Sequence, residues 1–234
     1  MVLAPRIRAL TLTALGAATL TLGLTVSVSA ASATTLPGQV ITVEAATSLS
    51  RVAVLRTWRL TSEGRYVQEF PAVVAFVGVN GVRPTREGLG RTPVGVFTLT
   101  QAFGNEPNDG TRLPYTYVGP DDWWDENPAS ANYNRLVRSA VSPGGDSENL
   151  YYSGHVYAHA VVINYNTDPV VKGAGSGFFL HISSGAPTEG CVAIPEANLI
   201  QIMRWLEPSH HPVISINVGA EALAPVETTS PPAS

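Results

Sequence analysis

Apolar and polar residues alternate over short stretches through much of the chain, and Gly, Pro and Asn interrupt them every few positions. Runs at 51–58, 66–70, 72–77, 94–99, 156–164, 177–183 and 213–218 are enriched in Val, Ile, Tyr and Phe. That composition and period predict half-buried β-strands. Asn80-Gly81 is a turn signal. One helix is predicted, from Pro195 to about Leu206. Pro195 suits its start and Pro208 stops it, while Leu199, Ile200, Ile202, Met203 and Leu206 supply an apolar face. The expected fold is mainly β, a β-sandwich or open barrel with one helix packed on it.

Residues 101–153 depart from this pattern. They hold Trp123, Trp124, Tyr115, Tyr117, Tyr133, Tyr151 and Tyr152 among many Gly, Pro, Asn and Asp residues. A stretch that long without periodicity is a functional loop region or disordered, and its rings have apolar surface to bury, which argues for order. Two roles stay open at this point: a cap on one end of the β core, or an apolar wall facing a substrate.

The ends bear on compartment. Arg6 and Arg8 form a short basic head, residues 9 to 28 carry no charge, and small-residue cleavage sites end at Ala30 and Ala33. This is the layout of a secretory signal peptide over 1–33, the alternative being a retained anchor. No cysteine lies near that region, which excludes a lipid-modified N-terminus. The expected domain then runs from 34 to 220, and 221–234, rich in Pro, Thr, Ser and Ala, is expected to be a disordered tail. The expected location is outside the cell, on the cell-wall side of the cytoplasmic membrane.

Of 14 Lys and Arg residues, 12 remain after residue 33, against 18 Asp and Glu, a net charge of −6. Nucleic acid and anionic membrane surfaces require a basic patch, so neither is an expected partner. The count of one cysteine, Cys191, is more telling. A single thiol in an exported chain forms no internal disulfide, so it is either a buried, inert hydrophobe or a working group.

Its surroundings favour work. In Gly177-Phe178-Phe179-Leu180-His181-Ile182-Ser183, alternation puts Phe178, Leu180 and Ile182 on one face and Phe179, His181 and Ser183 on the other. A turn-rich link then leads to Gly190-Cys191. A thiol is nucleophilic only as thiolate, and an imidazole ten residues upstream is placed to take its proton. Gly190 allows a sharp turn that aims the Gly190 and Cys191 amides at a developing oxyanion. Ser183 is a candidate for orienting His181. Taken alone, His181 reads more readily as a hydrogen-bonded structural histidine than as a base.

Thr188-Glu189-Gly190-Cys191-Val192, with His181 upstream in an apolar strand, resembles the signature of the L,D-transpeptidase family (YkuD-type, ErfK/YbiS). Arg91-Thr92-Pro93-Val94-Gly95-Val96-Phe97 is similar to the family's TPxGxF segment. Asn164-Tyr165-Asn166 and Gly173 to His181 are similar to the stretch before the catalytic histidine in a secreted branch. The resemblance covers roughly residues 70 to 218. It implies a Cys191 nucleophile with His181 as its base, acting on peptidoglycan stem peptides as a monomer, with no cofactor and no metal. The expected reaction is stem-peptide cross-linking through a cysteine acyl-enzyme. Alternatives are hydrolysis of the same intermediate, as a carboxypeptidase or endopeptidase, and a noncatalytic wall-binding module. The chain departs from the commonest family motif at Glu189 and Ala193, and its histidine-to-cysteine spacing is shorter than in much of the family.

Other chemistries fit poorly. His155 and His159 are expected in a strand, where four residues span about 13 Å, too far for one zinc ion. The one lysine, Lys172, lacks a serine three residues before it, and Ala174 and Phe178 stand two residues either side of Ser176, where a nucleophile elbow requires glycines.

Overall fold

The computed structural model describes residues 36–219. The expected signal peptide at 1–33 and the tail at 221–234 lie outside the described residues. Fourteen strands fall within them: β1 Gln39–Ala45, β2 Val52–Leu60, β3 Tyr66–Gln68, β4 Val73–Phe76, β5 Gly95–Thr98, β6 Ala102–Gly104, β7 Tyr115–Tyr117, β8 Asp122–Asp125, β9 Arg135–Arg138, β10 Glu148–Asn149, β11 Ala160–Val162, β12 Phe179–Ile182, β13 Val192–Ile194 and β14 Val213–Val218. One α-helix, α1 Glu196–Trp205, follows β13 directly.

Eleven strands form one sheet in the order β5-β14-β1-β2-β4-β13-β12-β11-β6-β7, with β3 on the outer part of β2. The sheet curls into a half-barrel, so the fold is mainly β with one helix, as expected. α1 starts at Glu196 with Pro195 as its N-cap, and it buries Leu199, Ile202 and Met203. It packs on β12, which pins that strand from one side. The main core joins these helix residues to Ile41, Leu55, Phe97, Leu180, Ile194 and Ile214.

β1 went unpredicted for a physical reason. Ile41, Val43 and Ala45 alternate with Thr42 and Glu44, but Val40 and Thr42 are buried with them, so the strand has no open face to complete the pattern. The expected strand at 156–164 is shorter, because a 3-10 turn occupies Gly154–Tyr157 before β11 begins at Ala160. Gly154 enters that turn with φ 78°, a left-handed conformation that glycine tolerates.

The aromatic segment is ordered. It contributes β6 and β7 to the main sheet and builds a small three-stranded sheet, β10-β8-β9. Trp124 on β8 is 2% exposed and stacks edge-on against Phe179 of β12, ring centroids 5.0 Å apart. Asn134, in a left-handed conformation, locks the two parts together. Its Nδ2 donates to the carbonyls of Tyr165 and Asn166, and its Oδ1 accepts from Trp124 Nε1 and Gly177 N.

Candidate active site

β12 and β13 run parallel, with Leu180 opposite Val192 and His181 opposite Ala193. Alternation then puts Phe179, His181, Cys191 and Ala193 on one face of the sheet. Phe178, Leu180 and Ile182 face the main core, as predicted. The opposite face is buried too. Cys191 and Phe179 join Phe103, Trp124, Leu150 and Tyr157 in a second, smaller apolar cluster.

The turn before β13 is tightly held. Gly190 has φ 147°, and a Cβ there would lie 2.7 Å from a Phe178 ring carbon and 3.1 Å from the Arg91 carbonyl oxygen. The hydroxyls of Thr188 and Thr92 donate to the Cys191 carbonyl at 2.7 Å and 3.3 Å. Thr92 comes from the 91–97 motif, so the two separated motifs meet at the backbone of Cys191. The Gly190 amide donates to Thr188 Oγ1 at 3.1 Å. The Gly190 N–H, expected to face an oxyanion, is instead engaged in holding this turn.

The Cys191 thiol donates to the Gly177 carbonyl at 3.3 Å and accepts from the Phe179 amide at 3.3 Å. His181 is 8% exposed, and its Nδ1 lies 2.8 Å from the Ile182 carbonyl oxygen. A ring nitrogen facing a carbonyl carries the proton, so Nε2 is the basic atom. Ser183 does not orient the imidazole. Its hydroxyl instead accepts from the Gly185 amide at 2.9 Å and closes the next turn. A backbone carbonyl adjacent in sequence supplies the acceptor that a side chain was expected to give.

Cys191 and His181 line one cavity of about 460 Å³. Ala193 lines it beside His181, and Glu189 forms part of its rim. The remaining wall is acidic, and residues unremarked in the sequence supply it: Glu87, Glu126, Asp146 and Glu148. Three of these come from the aromatic segment, which therefore walls the site with carboxyl groups, while Trp124 supports the wall from within the apolar cluster. Glu126 Oε1 sits directly over Gly177, where a Cβ would come within 1.7 Å of it. Glu87 is held by Ser176 Oγ and by a short hydrogen bond from Tyr133. Glu148 Oε2 accepts from the Tyr157 hydroxyl at 2.6 Å.

Burial dominates the electrostatics. It pushes the Cys191 thiol well above its ordinary value, helped by the Glu148 and Glu126 charges and opposed by the Phe179 amide. It pushes His181 down, against the Ile182 carbonyl bond. Burial also raises Glu87 and Glu148, and lifts Glu126 to about 9, with the Glu148 charge its next cause. Desolvation disfavours every charged form here, so the resting pair is a neutral thiol beside a neutral imidazole. A thiol acidified by its histidine partner was the expectation, and burial of the sulfur beside Glu148 and Glu126 works the other way.

His155 and His159 have separate partners, Glu196 Oε2 at 3.2 Å and the Tyr115 hydroxyl at 3.4 Å. They sit on and after the 3-10 turn rather than along one strand, and their partners draw them apart.

Fold and site together describe a curled β-sheet protein with a thiol and an imidazole facing one acidic cavity. A family model for the L,D-transpeptidase catalytic domain, YkuD, matches residues 39–215, and the chain belongs to that family. The family is one of enzymes that act on peptidoglycan stem peptides. No curated protein and no solved structure matches the chain.

Proposed function

We propose that the protein is a peptidoglycan L,D-transpeptidase that works through a Cys191 acyl-enzyme with His181 as its base, on the cell-wall side of the cytoplasmic membrane. The observation that carries this reading is the convergence of both side chains on one cavity, with His181 Nδ1 bonded to a carbonyl and Nε2 left basic. The Sγ–H proton passes to Nε2 as sulfur attacks the stem carbonyl before a terminal D-alanine. The Cys191 amide donates to the oxyanion. Collapse breaks the C–N bond, and the Nε2 proton leaves on the amine. The amine of a second stem then gives a proton to Nε2, attacks the thioester and restores the thiol. The carboxyl oxygens of the wall offer hydrogen-bond acceptors to an amine-bearing stem, and the buried setting limits water at the thioester.

Incubation with defined tetrapeptide muropeptides and separation of products by mass tests this. The wild type is expected to give cross-linked dimers with loss of alanine. Cys191→Ala is expected to give none while melting within a few degrees of wild type. His181→Gln is expected to lose about a hundredfold or more in rate. Turnover retained by Cys191→Ala overturns the mechanism, and shortened stems without dimers assign hydrolysis instead.

A further inference from the structure

Asn134, 3% exposed, lies in the aromatic segment between β8 and β9 and ties it to the backbone around the nucleophile. Its Nδ2 donates to the carbonyls of Tyr165 and Asn166 at 3.0 Å and 2.8 Å. Its Oδ1 accepts from Trp124 Nε1 at 2.9 Å and from the Gly177 amide at 3.1 Å. Gly177 has φ 66°, a left-handed conformation, and Glu126 Oε1 fills the space a side chain would need there. From that position the Gly177 carbonyl takes the Cys191 thiol hydrogen at 3.3 Å. The Phe179 amide, two residues on, donates to the same sulfur at 3.3 Å. The sulfur is thus clipped between two backbone groups of one short segment. Phe178 anchors the middle of that segment, where its carbonyl accepts from the Ile163 amide at 2.9 Å. Asn134 is the side chain that holds its beginning.

We propose that Asn134 is the positioning residue of the nucleophile: by holding Gly177 in its left-handed conformation, it sets where the Cys191 sulfur and its proton lie. The proposal rests on the reading of Cys191 as the nucleophile. Asn134 touches no reacting atom and acts through the Gly177 backbone. At rest the thiol proton points at the Gly177 carbonyl. As the Sγ–H bond breaks, the proton passes to His181 Nε2 and the electron pair stays on sulfur. A thiolate is repelled by a carbonyl oxygen, and the Phe179 amide then remains as its donor. With both ends of the clip fixed, the sulfur stays where it attacks from. The four bonds of Asn134 divide by role. The two from Nδ2 anchor the side chain, and the one that Oδ1 accepts from Gly177 does the positioning.

Cys191 is the only thiol in the chain, so its S–H stretch, which falls in an otherwise clear infrared window, reports this one bond. A hydrogen bond to a carbonyl lowers the frequency of that stretch. The full chain and its variants are compared at neutral pH, with thermal melts alongside. Asn134→Gly removes the side chain and leaves the φ of 61° unstrained. Its S–H band is expected to move up toward that of a free cysteine peptide. Its kcat on muropeptides is expected to fall by about tenfold or more, with KM within about threefold. Asn134→Asp keeps an acceptor for Gly177 and loses the two donor bonds. It is expected to melt below the wild type, yet to keep the wild-type band and most of the turnover. If Asn134→Gly does not fold, Asn134→Ser, whose shorter side chain leaves the Gly177 amide unpaired, takes its place. A band unmoved on loss of the acceptor, or moved alike in Asn134→Asp, overturns the proposal, because a merely structural residue shifts it with stability. The infrared measurement needs no peptidoglycan. The expected shifts without muropeptide turnover keep this proposal and overturn only the substrate. A wild-type band at the free-thiol frequency overturns the positioning alone and leaves the role of Cys191 to the turnover of Cys191→Ala.

Discussion

Replacing Glu126 by Gln is expected to flatten the dependence of stability on alkaline pH. Glu126 sits in the cavity wall with its Oε1 over Gly177, and burial with nearby carboxylates lifts it from an ordinary 4.5 to about 9. Folded chains therefore keep a proton there that unfolded chains release above about 4.5. Stability from this group is full below that value and is lost as pH rises through about 9. The useful window is pH 7 to 9. By then the unfolded histidines have lost their protons, so the opposing trend from His181, whose folded value is lowered, is over. Across that window a single group titrating near 9 removes about 2 kcal/mol. Glu148 and Glu87 line the same cavity and are raised too, so the proton is partly shared and about 1 to 2 kcal/mol is expected in practice.

Urea unfolding at pH 7, 8 and 9 measures this, because the midpoint moves with stability while the slope reports exposed surface. The wild type should lose its margin across the window, and Glu126→Gln should lose much less. The Cys191 thiol adds a small loss of the same sign near pH 9, and it does so in both proteins. Parallel profiles for wild type and variant, or a wild type that gains stability across the window, refute the account of a buried, protonated Glu126.

Two further outcomes follow from packing. Gly190→Ala puts a methyl group into Phe178 and the Arg91 carbonyl at a φ of 147°, which costs about 2 to 3 kcal/mol; muropeptide turnover should fall more than tenfold, with a lower melting temperature. Asn134→Ala abandons four buried hydrogen bonds, from Trp124 and Gly177 and to Tyr165 and Asn166, and should cost about 3 kcal/mol, read as a melt lowered by about 6 to 12 °C.

Elements whose signals are local were legible in the chain. β14 runs over Val213–Val218, as its apolar run predicts, and α1 lies within one residue of its proline-marked start. β12 shows its two faces because Phe178, Leu180 and Ile182 alternate with Phe179 and His181. The small sheet β10-β8-β9 was not legible. Its strands have two to four residues each, and what fixes them is Trp124 against Phe179 and the bonds from Asn134 to Tyr165, Asn166 and Gly177, which reach 31 to 43 residues along the chain. β1 was missed although Ile41, Val43 and Ala45 alternate with Thr42 and Glu44, and what fixes it is parallel pairing with β14 at the far end of the described residues.

The candidate site divides along the same line. Cys191 and His181 lie ten residues apart around one parallel strand pair, so a single short segment carries both and a motif marks them. The wall opposite has no such segment. Glu87 follows the turn region after β4, Glu126 follows the end of β8 and Glu148 opens β10, and each is an ordinary surface residue by type. Only folding brings them within one cavity, and only burial there changes their chemistry. The error about the thiol has the same origin. A histidine nearby in sequence argues for an acidified cysteine, but the sign of the shift depends on how much water and how many carboxylates surround the sulfur. Those are set by Trp124, Leu150, Tyr157 and Glu148, none of which lies within 20 residues of Cys191 in the chain.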